Sequence, residues 1–306
     1  MRVAVVDMGT NSTRLLVADV DGQGVREVDR RTRVTRLGRG VDLSGQLAHD
    51  AIDDVCATVA EYVSRYEELR AERVTAIATS AVRDARNGEA FIAELRERFA
   101  LDARILDGAE EAWLTYLGAC ANRDSCDHTL VVDIGGGSTE LIIGTEDELD
   151  FHCSLQVGVV RQTERHLRHD PPATDELEEL ASDVRGLIDR AIADDPFVTA
   201  NEAIAVAGTP TSLAAIDLEL DPYDPDRVHG HRLSFAKVQR LLSRIAALPL
   251  AERLRLPGLQ PGRAPTIVAG IVILAEVMRT FRLDEVEVSE HDILHGAALQ
   301  ATFAAA

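Results

Sequence analysis

Apolar residues recur along this chain at two distinct periods, and the two alternate. Val3–Asp7, Arg14–Val20 and Glu27–Leu37 read as strands, separated by the turns "GTNS" and "DGQG". "DAIDDVCATVAEYVSRYEELRA" places its apolar positions three and four apart and predicts a long amphipathic helix. A buried strand "VTAIATSAV", a helix "GEAFIAELRERFA", a short strand "ARILD" and a helix "AEEAWLTYLGACA" follow. Beyond the polar, turn-rich "NRDSCDH", a plausible domain boundary, a second strand–turn–strand opens at Leu130. After it come a strand around "FHCSLQV", the helix "TDELEELASDVRGLIDRAIA", a strand "EAIAVAG" running into "TPTSLAAIDLEL", and the Pro/Asp loop "DPYDPDRVHGH". Two or three further helices, a strand "EVEVSE" and a terminal helix "HDILHGAALQATFAAA" complete the chain. Strands alternating with helices throughout predict an α/β protein.

The pattern also repeats in detail. "VVDMGTNSTRLLVA" from Val5 returns as "VVDIGGGSTELIIG" from Val131, with the Asp, a Gly and the Ser-Thr pair in register. Glycine lets backbone approach a ligand, and successive amides in such a bend form a nest for anions. One tight hairpin of this composition is unremarkable, but two in register point to a shared ligand. The candidate anion contacts are Gly9, Thr10, Asn11, Ser12 and Thr13 in the first copy, and Gly135, Gly136, Gly137, Ser138 and Thr139 in the second. An Asp at each strand tip would repel phosphate unless a cation lay between them, so Asp7 and Asp133 imply Mg²⁺ or Mn²⁺. Arg14 stands where the second copy has Glu140. Asp133 and Glu140 together make a hard-oxygen pair for a metal or an attacking water, whereas Arg14 either neutralises charge or is a surface strand residue. A third candidate is "AVAGTPTSLAAI", where Gly208 and Thr209 sit at the junction of a strand and a helix N-terminus.

Composition narrows the chemistry. A length of 306 residues suggests two domains. The net charge of −20 argues against nucleic acid as a partner, so any polyanion must meet positive charge concentrated locally. Lys237 is the only lysine, which removes P-loop and protein-kinase readings. "MRVAVVD" is too short for a signal peptide, and the longest apolar run, "IVAGIVILA", is well short of the roughly 20 residues that span a bilayer. No membrane association and a cytoplasmic location are therefore expected. Cys56, Cys120, Cys126 and Cys153 have no zinc-type spacing and are expected as reduced thiols.

The paired "DxGxxS/T" hairpins with a later "AGTPTS" resemble the actin-like ATPase superfamily of sugar kinases, Hsp70-type chaperones and actin. "VDMGTNSTRLLV", "TSAVRDARN", "DGAEEAWLTYLGA", "VVDIGGGSTELIIG" and "AGTPTSLAA", in that order over nearly the whole chain, resemble one branch: the exopolyphosphatase/guanosine pentaphosphate phosphatase family, in its short form. The resemblance implies a ribonuclease H-like, two-domain actin-like fold with an interdomain cleft. The expected division is residues 1–125 with a C-terminal helix at 291–306, and residues 126–290. It implies hydrolysis of the terminal phosphoanhydride of inorganic polyphosphate, with guanosine pentaphosphate as the alternative substrate, and a homodimer. Rival readings are a sugar or acetate kinase of the same superfamily, and a non-catalytic sensor of guanosine tetraphosphate.

In "LDGAEEAWLTYLG", Asp107 followed by Glu110 has the spacing of a capping box, which leaves Glu111 free for other work. The resemblance places the catalytic glutamate at the same position, so Glu111 is the candidate general base. The resemblance also carries functional roles to Asp133, Gly135 and Glu140. "TSAVRDARN" offers Arg83 and Arg86 as phosphate contacts, and the resemblance favours Arg83. Arg31 and Arg33, on one strand face, form either a basic stripe or an ordinary solvated edge. His291 and His295 lie four apart, but Asp292 stands where the zinc-protease motif needs Glu, so the pair is not read as a metal site.

Overall fold

The structure, a computed structural model, describes residues 1–21, 24–121, 123, 126, 128–145, 148–193, 198–200 and 202–303. Most of the "NRDSCDH" boundary, the tip of the "DGQG" turn and the end of the alanine tail lie outside the described residues. The chain divides into two compact units, Met1–Ser125 with His291–Ala306, and Cys126–Glu290.

The first unit begins with an antiparallel meander of β1 (Arg2–Met8), β2 (Ser12–Asp21) and β3 (Gly24–Val34). Then come α1 (Val41–Ser44), α2 (His49–Glu68), β4 (Arg73–Ala78), α3 (Ser80–Asp84), α4 (Gly88–Phe99), β5 (Ala103–Ile105) and α5 (Gly108–Cys120). The sheet order is β3-β2-β1-β4-β5, with β4 parallel to β1 and β5 parallel to β4. Alternation along β1 sorts two cores. Ala4, Val6 and Met8 pack with Val55, Val59, Phe91 and Leu95 of α2 and α4, while Val3 and Val5 pack with Leu114 of α5 and residues near the C-terminus. Asp7 shares the parity of Val3 and Val5, which puts it on the α5 side of the sheet.

The expected strand "VTAIATSAV" is shorter than the apolar run suggests, because the chain turns at Thr79 and forms α3. The Ala81 N–H at the start of that helix donates to Thr10 Oγ1, a cap supplied from 71 residues upstream that no local pattern contains.

The second unit repeats the arrangement. It contains β6 (Leu130–Ile134), β7 (Thr139–Gly144), β8 (Leu149–Leu155), α6 (Val159–His166), α7 (Thr174–Ile192), β9 (Ala203–Val206), α8 (Gly208–Asp217), α9 (Pro225–Val228), β10 (Arg232–Ser234), α10 (Phe235–Ala246), α11 (Leu250–Arg253), α12 (Ile267–Thr280) and β11 (Glu285–Val288). Its sheet order is β10-β11-β9-β6-β7-β8, so β8-β7-β6-β9-β11 follows the same path as β3-β2-β1-β4-β5. The apolar run from Ile267 is α12, buried on every side within this unit's core. No helix among the described residues is long and apolar enough to cross a membrane.

The chain then re-enters the first unit as α13 (Ile293–Phe303), which lies against α5. A Cβ on Gly118 would lie 1.9 Å from the Asp292 carbonyl oxygen, and one on Gly296 would lie 1.8 Å from that of Leu114. Only two facing glycines allow backbones this close.

The cysteines depart in part from expectation. Cys120 and Cys126 are disulfide-bonded rather than reduced. Cys56 and Cys153 are free, and burial pushes their thiols up to about 11 and about 12, which keeps them protonated and inert.

Gly296→Ala should destabilise the protein by about 3 kcal/mol or more, because the clash is with backbone and no rotamer relieves it. Gly186→Ala, in mid-α7 with only the end of Arg190 nearby at 3.4 Å, should be neutral or slightly stabilising. Urea unfolding of the two variants beside the parent checks the contrast.

Candidate active site

Each Gly-rich turn is closed in the same way: Gly9 N–H donates to Ser12 O at 3.0 Å, and Gly135 N–H to Ser138 O at 3.0 Å. The carbonyls are then tied into the fold. Thr10 O accepts from Gly38 N–H, and Asn11 O from the N–H groups of Thr35 and Arg36. In the second turn, Gly135 O and Gly136 O accept from Val159 and Val160 at the start of α6, and Gly137 O accepts from Arg161 Nε. Gly158 permits this contact, since a Cβ there would lie 2.3 Å from Gly136 O. Among the described residues, no hydrogen bond uses the N–H of Thr10, Asn11, Gly136 or Gly137. With the carbonyls held on one side, these amides are the groups each turn offers to an anion.

The hydroxyls are used differently from expectation. Besides Thr10, which caps α3, Thr13 Oγ1 bonds to Thr35 Oγ1 at 2.9 Å, and Thr139 Oγ1 donates to Val157 O. Thr13, Thr139 and Ser138 are buried, while Asn11 and Ser12 are half-buried. The threonines therefore build the turns, and what they present is backbone.

The charge inversion between the copies has a geometric meaning. Asp7 and Arg14 are direct cross-strand partners in β1–β2, as Asp133 and Glu140 are in β6–β7. Arg14 donates to Asp7 Oδ2 through Nε at 2.8 Å and lies 2.7 Å from it through Nη2, while its Nη1 pairs with Asp292 just before α13. Arg14 is thus no surface residue. Burial pushes the Asp7 carboxyl up, against the pull of Arg14, and its Oδ1 has no hydrogen-bond partner. For Asp292, burial acts the same way, but Arg14, Arg30 and His295 outweigh it and hold the carboxyl down at about 2. The second copy instead sets two buried carboxylates, Asp133 and Glu140, side by side on one sheet face, with Ser154 Oγ donating to Glu140 Oε1 at 2.8 Å. Two hard-oxygen donors in this arrangement suit a divalent cation. Asp7 suits one less well, since one of its oxygens is committed to Arg14.

Glu111 is set by its helix cap. Asp107 accepts from Glu110 N–H, Glu110 accepts from Asp107 N–H, and α5 begins there. Glu111 is consequently turned inward and buried, and its Oε2 accepts from Arg83 Nη1 at 2.7 Å. Arg83 also donates to Leu106 O. The structure therefore brings together two residues that the sequence offered for separate tasks. Burial raises the Glu111 carboxyl above its usual range; Arg83 opposes the rise, and Asp7 and Asp84 add to it.

Gly208 and Thr209 open α8, where Ala207 holds a φ of 70° and ψ of −165°, a region essentially reserved for glycine. Arg263, absent from the sequence reading, lies against this point: a Cβ on Gly208 would sit 1.3 Å from its Nη1. No motif marks Arg263, because it arrives from a loop 55 positions away. The supposed basic stripe is spent on surface ion pairs, Arg31 with Asp29 and Arg33 with Glu61.

Residues 16–302 match the Ppx/GppA phosphatase family. The chain belongs to that family. It is 37% identical to Exopolyphosphatase 2 of Mycobacterium tuberculosis, over 97% of this chain and 98% of that protein. Among solved structures, an exopolyphosphatase-like protein is 34% identical with a TM-score of 0.94, covering 100% of this chain and 99% of the other. An exopolyphosphatase from Cytophaga hutchinsonii is 26% identical with a TM-score of 0.89, over 99% and 98% of the two chains. The Aquifex aeolicus member of the Ppx/GppA family is 29% identical with a TM-score of 0.84, over 100% and 98%. The α/β, actin-like ATPase fold expected from the paired hairpins is therefore the fold of this Ppx/GppA chain, with the duplicated sheet order as its signature.

Replacing Arg14 by Met would leave Asp7 buried without its counter-charge and Asp292 with the more distant Arg30 alone, a loss of about 3–5 kcal/mol at neutral pH. Because Asp292 titrates at about 2 when folded, its contribution is present above about pH 4 and is lost as pH falls toward 2. Denaturant unfolding between pH 2 and 7 should therefore show parent and Arg14→Met differing most at neutral pH and converging in acid.

Proposed function

We propose that this chain is an exopolyphosphatase, a metal-dependent phosphoanhydride hydrolase that removes the terminal phosphate of inorganic polyphosphate as orthophosphate. The substrate reading is supported by the likeness to Exopolyphosphatase 2 along almost the full length of both proteins. The chemical reading is carried by one observation: a buried glutamate, relieved of capping duty by its neighbour and held through one oxygen by an arginine.

In this mechanism Glu111 accepts a proton from the water that attacks the terminal phosphorus. The new P–O bond forms as the bridging P–O bond breaks, and that electron pair leaves on the shortened chain. Arg83 fixes Glu111 through Oε2, and the raised carboxyl makes Glu111, once ionised, a stronger base than an exposed glutamate. The amides of Thr10 and Asn11 give the first unit a donor nest for phosphate oxygens; within the second unit Gly136, Gly137 and Ser138 form another, and α8 with Gly208 adds a helix N-terminus. Asp133 and Glu140 would hold Mg²⁺ or Mn²⁺, which when bound offsets the charge of the phosphates.

Phosphate release should be measured with short and long polyphosphates, guanosine pentaphosphate and ATP in parallel, with and without Mg²⁺. Metal-dependent release from polyphosphate supports the proposal. Release from guanosine pentaphosphate alone, transfer to an acceptor, or binding without turnover would overturn it in favour of the corresponding rival. Glu111→Gln should fold with an unchanged or higher Tm and lose about 10²–10⁴ in turnover. Since Glu111 must be ionised to act, kcat/KM of the parent should fall on the acid side at a pH above the ordinary glutamate range. In Arg83→Gln that limb should move to still higher pH, because the group opposing the rise is gone.

A further inference from the structure

We propose that the first unit carries a second cation site, formed by Glu27, His291 and His295 and suited to a divalent transition metal such as Zn²⁺. The two histidines lack the local glutamate of a zinc-protease helix, but the tertiary fold brings one in from β3. Each of the three residues offers a ligand atom, and these atoms all lie within 4.8 Å of one another.

The start of α13 creates the arrangement. Asp292 caps the helix, with Oδ1 accepting from Leu294 N–H and its carbonyl accepting from the N–H groups of His295 and Gly296. That turn folds His291 back over His295, with ring centroids 4.2 Å apart. His295 is fully buried, and its Nε2 lies 3.0 Å from Glu27 Oε1. In a tetrahedral site with metal–ligand bonds of about 2.0–2.2 Å, ligand atoms stand roughly 3.3–3.6 Å apart. Contraction by about an ångström therefore closes the set, leaving a fourth position for water.

The donor chemistry selects the ion. Two imidazoles with one carboxylate suit zinc, cobalt or nickel, whereas Mg²⁺ prefers oxygen alone. The surroundings tolerate a dication: the carboxylates Glu27, Asp292 and Asp7 outnumber the guanidiniums of Arg14 and Arg30. The Asp292 N–H donates to His295 Nδ1 at 3.4 Å, which puts the ring proton on Nε2 facing Glu27. Loading the ion at Nε2 moves that proton to Nδ1 and gives up the 3.4 Å Asp292 contact. The bound ion would clip the first turn of α13 to β3. This site uses none of the residues assigned to phosphoanhydride hydrolysis and stands or falls independently of that reading.

Chelator-stripped full-length protein should be dialysed against Zn²⁺ at micromolar concentration, with Mg²⁺ in millimolar excess, and bound metal counted. Co²⁺ should be titrated in parallel while the visible spectrum is followed. The expected result is one Zn²⁺ per chain that Mg²⁺ does not displace, a tetrahedral Co²⁺ spectrum with no thiolate charge-transfer band, and a Tm raised by on the order of a few degrees. Glu27→Gln and His291→Ala, at the less buried positions, should fold and bind that Zn²⁺ at least about tenfold more weakly. His295→Gln should abolish binding if it folds. Failure of the parent to retain Zn²⁺, equal retention by Glu27→Gln and His291→Ala, or a thiolate band would each overturn the assignment.

Discussion

In each unit, the candidate anion nest rests on how the backbone carbonyls of one short turn are disposed of. A Gly-rich bend presents donors to a ligand only if its acceptors are occupied elsewhere, because a free carbonyl beside phosphate would repel it. The two copies meet this constraint with different parts. The first ties its carbonyls to the segment after β3, and the second ties them to the first turn of α6. The closing bond from glycine to serine is the same in both, so the turn itself is local, whereas the support behind it belongs to each unit's tertiary structure.

Charge then distinguishes the copies. Pairing Asp7 with Arg14 across β1–β2 makes a neutral, rigid junction that also fastens Asp292 at the head of α13. Pairing Asp133 with Glu140 at the equivalent place concentrates negative charge instead. One hairpin frame thus supports a structural ion pair in one unit and two adjacent buried carboxylates in the other. The buried pair in the first unit costs desolvation as well as supplying attraction, so its value lies in fixing the position of β1, β2 and α13 as much as in net stability. Strain collects at the third anion candidate, where Ala207 occupies a glycine conformation next to Gly208 and Arg263.

Much of this was legible locally. The alternating periods announced an α/β chain, the repeat announced two related units, and the Asp107–Glu110 spacing announced the cap that turns Glu111 inward. Composition alone ruled out a P-loop, since there is no suitable lysine. The threonine hydroxyls and the arginines were harder to read. Thr10, Thr13 and Thr139 look like ligand donors in a linear motif, but each finds a partner inside the fold. Arg31 and Arg33 look like a basic stripe until neighbouring carboxylates neutralise them.

By itself, then, the sequence determined what depends on near neighbours: helix and strand periods, the cap of α5, the closure of both turns and the family resemblance they carry. Tertiary structure decided which charges meet. Arg83 reaches Glu111 across 28 positions, Arg14 reaches Asp292 across 278, and His295 reaches Glu27 across 268. Pairings at such separations are fixed by how sheets and helices pack in space, and the hydrophobic pattern that drives the packing carries no record of which polar groups it will bring together.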